Sequence, residues 1–394
     1  VNNKLIHTSK RIDYSSSVIY SDDDPLFTTT AIDSSGYKHV VYYDDGSDDL
    51  MHTIFNGTEW SEPTVVDSST SFAGRSINGL AADSSGNLYL SYMNWVNSGS
   101  DDSYLMYGQY DGSSWSTQSL QSFMNYGYNW PTQHTSIALD SSNRPHISYY
   151  DFVNDTLRYT YYSGTEWIDS LLTSSNDEGS FNSIALNSSD YPRISYRDES
   201  NDDLELKIWN GTSWNTEIVD STNNVGSWTS VAVDSSDLTH IAYFYNSGSD
   251  IRYAKENGSS WDIQDIDTDS YSNMISFELD SMDRPRIAYG SSNDARLAYS
   301  NNGGDSWTIL DVDKENNVGS YMSMAIGGQG EALLTYQDDT NNDLRHTVAY
   351  TGVSWNQQEL IGTGELGSSM VGTGIFISDT TVLIPYLNNQ SGSK

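Results

Sequence analysis

Apolar and polar positions alternate along almost the whole chain, in short runs broken by clusters of Gly, Asn, Asp and Ser. Runs such as Pro145–Tyr150 and Leu157–Tyr162 have the two-residue period of half-buried strands, and the 3.6-residue spacing of a helix is absent. The breaks recur. Seven stretches end in tryptophan, at Trp60, Trp115, Trp167, Trp214, Trp261, Trp307 and Trp355, each with a glycine three positions earlier. Successive spacings are 55, 52, 47, 47, 46 and 48 residues. The Asn-Gly and Asp-Gly pairs among them favour tight hairpins, because both residues tolerate positive φ. A repeat of this length predicts stacked supersecondary units rather than separate domains.

A second column keeps the same rhythm. Asp33, Asp83, Asp140, Asn187, Asp234 and Asp280 each open a D-S-S-like turn, and nine residues on come Tyr42, Tyr92, Tyr149, Tyr196, Tyr243 and Tyr289; Gly327 and Tyr336 make a seventh, acid-free copy. Each unit therefore reads as four antiparallel strands, A to D: in one unit A is Ser136–Leu139, B is Pro145–Tyr150, C is Leu157–Tyr162 and D starts at Trp167. The expected blades are 21–67, 68–122, 123–172, 173–220, 221–267, 268–312 and 313–361.

These features predict an all-β propeller over 1–394. The two ends supply half a unit each: LIHT (Leu5–Thr8) and SSVIY (Ser16–Tyr20) read as C and D, and GIFISDTTVLIPYL, with Tyr386, reads as A and B. Pairing them gives a composite eighth blade (362–394 with 1–20) that closes the ring and removes its open edges. Seven blades is the alternative count.

SNNGGDSW (Ser300–Trp307) resembles the Asp-box, S-x-D-x-G-x-x-W, of the sialidase-like (BNR) propellers, with Asn302 where the acid stands. The other turns keep only the Gly and Trp. The resemblance implies a propeller with these turns on the C–D hairpins, where they are structural, and it transfers no reaction. A sialidase would also imply an arginine triad, a Tyr/Glu pair and an acid/base Asp. The 11 arginines do not supply that set, since several (Arg158, Arg252, Arg296, Arg345) lie on strand C. RPHISYYD (Arg144–Asp151) is similar to a segment of lyase propellers. Yet His39, His146 and His240 occupy one repeat position, filled by Arg193 and Arg286 in other blades, and a recurring residue serves architecture.

Composition narrows the partners. A formal net charge of -36, from 54 acidic and 18 basic residues, opposes nucleic acid and anionic membranes, which need clustered cations. With no cysteine, disulfides, thiol nucleophiles and sulfur-bound metals are excluded. No apolar stretch is long enough to span a bilayer. A start without Met fits a removed leader, so an extracellular or cell-surface location is expected.

Residues that break the repeat are the candidates for function. The tryptophans and the strand-B tyrosines (Tyr149, Tyr196 and Tyr243 among them) read as packing, each Trp expected to bury against the next blade. Ahead of strand A lies a variable, ring-rich column: Phe27, Ile77, His134, Phe181, Trp228, Met274 and Tyr321. Trp95, Trp130 and Arg197 accompany it on the face where the D–A and B–C loops meet, a setting for a sugar or a protein ligand. Two positions before the Asp column, Ala31, Ala81, Ala138, Ala185, Ala232 and Ala325 recur, and Glu278 alone replaces alanine with a carboxylate. Acidic B–C loops, above all Asp198, Glu199, Asp202 and Asp203, offer oxygens to calcium, although no cofactor is required. The first reading is a non-catalytic recognition module for a polysaccharide, glycoconjugate or extracellular protein. A lyase or glycoside hydrolase using Glu278, His134, Tyr321, Arg75 and Arg197 is the second, and a structural surface-assembly propeller the third.

Overall fold

The computed structural model describes residues 16–20, 25–68, 73–74, 76, 79–96, 102–123, 134–174, 177–268, 274–328, 330–350, 376–378 and 381–383. The chain divides into two compact units, Val1–Gly352 and Val353–Lys394.

The first unit is all-β, with seven four-stranded antiparallel sheets. Blade 4 shows the plan: A, Glu178–Leu186; B, Pro192–Asp198; C, Asp203–Trp209; D, Trp214–Asp220. Strand B is buried except for the half-buried Arg193, whereas D turns most of its residues to solvent. Blade 1 begins at Pro25, blade 2 at Gly79, blade 3 at Thr135, blade 5 at Val225, blade 6 at Ile275 and blade 7 at Val318.

Closure corrects the larger blade count. Ser17–Tyr20 pairs antiparallel with Asp343–Tyr350 and so supplies strand D of blade 7. Blade 7 then meets blade 1 directly: the Thr28 hydroxyl donates to the Tyr321 carbonyl at 2.7 Å, and the Trp60 and His346 rings meet edge-on at 5.1 Å. The ring has seven blades, and Ser16–Tyr20 belongs to none beyond the seventh. Leu5–Thr8 and Trp355 lie outside the described residues. In the second unit, Phe376–Ser378 and Thr381–Leu383 form a two-stranded hairpin.

The repeat columns account for the packing. Each Asp-column residue caps its own A–B turn: Asp140 Oδ1 accepts the N–H groups of Ser142 (2.9 Å) and Arg144 (2.8 Å), and Asp234 does the same for Ser236 and Leu238. Turns are also chained between blades, since Ser141 and Ser188 donate to Asp190 and Asp237 of the next blade. Strand-B tyrosines are fully buried and reach acids: Tyr243 to Asp220 at 2.6 Å, Tyr289 to Asp267 at 2.7 Å and Tyr336 to Asp313 at 2.8 Å, each acid ending strand D of the preceding blade. Tyr149 and Tyr196 instead use Asp169 and Glu205 of their own blades.

The tryptophans point the other way from expectation. Trp167 meets Tyr107, Trp214 meets Tyr159 and Trp307 meets Tyr253, each on the preceding blade, and Trp115 donates to His52 of blade 1 at 3.1 Å. The C–D turn leans back over the sheet before it because the strand-C ring there offers the apolar wall; Trp261 packs against a cluster shared by blades 4 and 5.

Candidate functional site

The inner A strands surround a channel cavity of about 490 Å³. Its wall is made chiefly of small hydroxylated and aliphatic residues, because the strands converge there. Serines two places after the ring column stitch the blades: Ser136 Oγ accepts from Ile184 N, Ser183 from Val231 N and Ser276 from Met324 N, at 3.0–3.2 Å. In blade 2 the position is Gly79, where a Cβ would stand 2.7 Å from the Ile137 nitrogen.

At the start of strand A the ring column forms the mouth of this channel. Phe27, Phe181, Trp228 and Tyr321 have φ of 51°, 53°, 54° and 52°. Left-handed backbone costs a side-chain-bearing residue about 1–2 kcal/mol, so four aromatics held there are a deliberate departure from regular strand. The cause is a break in the A–B register at each, between Leu26 and Thr29, Ser180 and Ser183, Ser227 and Ser230, and Ser320 and Ser323. In blades 4, 5 and 7 the bulge is set up by a G-S-aromatic triplet: Gly179, Gly226 and Gly319 also have positive φ, and a Cβ at Gly179 would stand 2.7 Å from Leu157 Cα. That triplet was legible in the sequence but is visible as a motif only once the bulge is known.

The rings gather across blades. His134 and Phe181 have centroids 4.4 Å apart, Phe181 and Trp228 4.6 Å, and Phe27 and Tyr321 4.5 Å. His134 is buried, and its Nδ1 accepts the Phe181 N–H at 3.0 Å, which fixes the proton of a neutral ring on Nε2. Phe181, Trp228 and Tyr321 stay half-buried, with Met274 beside them lining the channel.

Glu278 is the only titratable residue lining the cavity among those described. Its Oε2 accepts the Ile326 N–H of blade 7 at 2.9 Å. Burial pushes its carboxyl up to about 7, against the opposing effect of that hydrogen bond. It lies four residues beyond Met274 on strand A, about 13 Å along a strand at roughly 3.3 Å per residue. It therefore stands at the far end of strand A from the ring column, away from His134 and Tyr321.

The remaining candidates separate. Arg197 is buried and occupied: Nε donates to Glu199 at 2.7 Å, Nη1 to the Val225 carbonyl at 2.6 Å, and Nη2 to Asp202. Trp95 is half-buried on the Leu88–Val96 strand, opposite Ser103. Arg75, Ile77 and Trp130 lie outside the described residues. Asp198 accepts the Ser200 and Asn201 N–H groups of its own loop, and Asp203 starts strand C. With Glu199 and Asp202 turned to Arg197, these four do not converge. Among the described residues no group of three or more His, Asp or Glu could hold a metal ion.

The repeated histidines bond within their blades: His146 Nδ1 lies 2.6 Å from Tyr159 Oη, and His240 Nε2 lies 3.2 Å from Asp234. SNNGGDSW sits on the C–D hairpin of blade 6, where Gly304 N donates to Ser300 Oγ and Trp307 Nε1 to the Gly304 carbonyl.

No protein-family model matches the chain, and no curated protein does. Solved structures match as folds. An ulvan lyase of polysaccharide lyase family PL25, solved bound to -[GlcA(1-4)Rha3S]-, aligns with TM-score 0.57 at 14% identity over 86% of this chain and 97% of its own. A protein of unknown function from Dyadobacter fermentans aligns with TM-score 0.51 at 11% identity, over 84% and 97%. The Hadza microbial sialidase Hz136 aligns with TM-score 0.47 at 11% identity, over 83% and 65%. Identities this low establish the propeller fold alone. No helix among the described residues is long and apolar enough to cross a membrane.

Proposed function

We propose that the chain is a secreted or cell-surface recognition propeller that holds a polysaccharide or glycoconjugate against its channel mouth without cleaving it. The observation that carries this reading is the set of four aromatics at φ near 50°, on bulges that bring rings from neighbouring blades together. Strain of that kind persists where the surroundings over-determine it, and it concentrates at ligand-contacting positions. Phe181, Trp228 and Tyr321 keep half-exposed ring faces that suit the C–H face of a sugar, while Phe27 is buried behind Tyr321 as support. An ulvan lyase of similar fold handles a uronate–rhamnose polymer, which supports a glycan as the ligand class.

A carbohydrate-active enzyme is the second reading, and the raised carboxyl of Glu278 is what favours it. Against it, glycosidase chemistry needs a second carboxyl about 5–10 Å away, and Glu278 stands alone among the described residues lining the channel. Affinity electrophoresis against neutral, sulfated and uronic-acid polysaccharides, with product analysis of the same mixtures, tests both. Retardation without new reducing or unsaturated ends is the expected result. New ends would transfer the case to the enzyme, and migration unaffected by every polymer would refute glycan recognition.

A further inference from the structure

A second cavity, of about 420 Å³, opens between blades 3 and 4 on the face of the A–B turns and C–D hairpins, opposite the channel mouth described above. Tyr161, Tyr191, Trp209 and Trp214 are among the residues that wall it. All four are half-buried. Their packing holds them in place: Tyr161 stacks on His146 at 5.5 Å, Trp214 meets Tyr159 edge-on at 5.3 Å, and Trp209 leans on Trp214 at 5.5 Å. Tyr191 Oη reaches over the C–D turn, where a Cβ on Gly211 would stand 2.6 Å from it.

This wall departs from the repeat. At the junction of blades 4 and 5 the positions of Tyr161, Tyr191 and Trp209 carry Ile208, Leu238 and Glu256; at blades 5 and 6 they carry Lys255, Arg284 and Ser300. Packing the ring needs no aromatic at any of these places, since those junctions close without one. Only between blades 3 and 4, among these three junctions, do three aromatics coincide. A feature that architecture does not require, in a pocket of the size that takes small ligands, calls for a ligand.

The polar groups specify its chemistry. Arg144, at the rim, is neutralised by Asp140 at 2.6 Å, and Asp190 accepts the Ser141 backbone N–H at 2.9 Å and its hydroxyl at 2.6 Å. The pocket therefore offers an anion no unbalanced cation. In contrast, no protein hydrogen bond among the described residues engages Tyr161 Oη, Tyr191 Oη, Trp209 Nε1 or the Ser189 hydroxyl. Rings that take a C–H face, with neutral donors and the unbalanced Asp190 carboxylate to meet an edge of hydroxyls, match one sugar ring without negative charge.

We infer that the groove between blades 3 and 4 is a binding site for a single neutral pyranose residue, independent of the channel mouth. Isothermal titration and saturation-transfer NMR with the methyl glycosides of glucose, galactose, mannose, fucose and xylose, and with methyl glucuronide as the charged control, test it on the full chain. At least one neutral glycoside should bind with one site per chain, and Trp209→Ala should weaken it tenfold or more. Ser189 is exposed, so Ser189→Phe blocks the pocket without disturbing the core and should abolish binding at an unchanged melting midpoint. Trp228→Ala, at the channel mouth, should leave this binding intact, which separates failure here from failure of the polysaccharide reading. Silence from all the neutral glycosides, full affinity in folded Ser189→Phe, or equal affinity for methyl glucuronide would overturn the assignment.

Discussion

The hydroxyl of Thr30, on the innermost strand of blade 1, lies 2.6 Å from that of Thr335, on the second strand of blade 7. Three hundred and five residues of sequence separate them. Thr335 also donates to Thr28 at 3.2 Å, so the first and last blades are joined by a buried hydroxyl cluster with no room for an eighth between them. At the rim the same junction is held by Ser17–Tyr20, which completes blade 7 from the opposite end of the chain.

Removing residues 1–20 tests that closure. Blade 7 would lose its strand D, and with it the pairings of strand C at His346, Arg345 and Leu344 and the Arg345–Ser16 hydrogen bond at 2.6 Å. At about 1 kcal/mol per hydrogen bond the loss is about 3–4 kcal/mol, and a bare edge promotes association. Denaturant unfolding and light scattering should show both effects; unchanged stability and a monomer would mean that the strand does not close the ring.

Tyr243→Phe examines the lock between blades 4 and 5. Its hydroxyl donates to Asp220, which Arg252 also holds at 3.1 Å. Burial works against the Asp220 carboxylate, and its hydrogen bonds together with Arg252 outweigh that and keep its pKa low. Removing one charge-assisted hydrogen bond should cost about 1.5–3 kcal/mol in denaturant unfolding. A change under about 0.5 kcal/mol would show that the pair only follows the packing.

The contribution of two buried histidines to stability should fall as pH falls from 6.5 towards 4. Burial, with the neighbouring His39 adding to it, takes His52 down to about 3; burial, then Lys38, takes His346 to about 4. Both folded values lie below the unfolded one. The unfolded chain therefore binds the extra protons, and stability present above pH 6.5 is lost on acidification, by up to about 1.4 kcal/mol per pH unit for each histidine. Trp115 donates to His52 Nδ1, so the Nε2 proton of neutral His52 points at His39 Nδ1, 3.1 Å away. His52→Gln keeps polar contacts there and should flatten the pH dependence of the melting midpoint between 6.5 and 4; an unaltered slope would contradict the assignment.

Glu278 has the opposite sign. Its folded pKa is raised to about 7, so the protonated carboxyl favours the fold at low pH and stability is lost as pH rises from 4.5 through 7. Glu278→Gln should match the wild type at pH 4.5 and exceed it at pH 8, with polysaccharide binding unchanged. Lost binding in a folded variant would place the ligand inside the channel.

Much of this was legible in the chain. Period-two runs, the Gly–x–x–Trp turns and the Asp and Tyr columns located the strands of six blades and most of the seventh, because hairpins are local and their turn residues sit at fixed offsets. The partner of Ser17–Tyr20 was not legible, since one short strand pairs equally well by pattern with either terminal unit and only three-dimensional closure decides. The lean of Trp115, Trp167, Trp214 and Trp307 depends on the strand-C ring of the preceding blade, a contact between residues some sixty apart in the case of Trp115 and His52. Of the candidate site, the ring column was found by its varied residue types at one repeat position, although four blades share one bulged backbone there, and Arg197 was not separable from it. A lone arginine in an acidic loop looks alike in sequence whether its guanidinium meets solvent or, as here, Glu199, Asp202 and Val225.

The most direct test of glycan recognition at the channel mouth is the affinity of Trp228→Ala for the polysaccharide that most retards the wild-type chain in electrophoresis. Trp228 is half-buried and its ring meets Phe181 at 4.6 Å and His134 at 5.8 Å, so truncation opens the gathered rings while blade 5 keeps its buried Tyr243. A loss of tenfold or more at a melting midpoint within a few degrees of the wild type is the predicted result. Wild-type affinity in the folded variant would contradict the account.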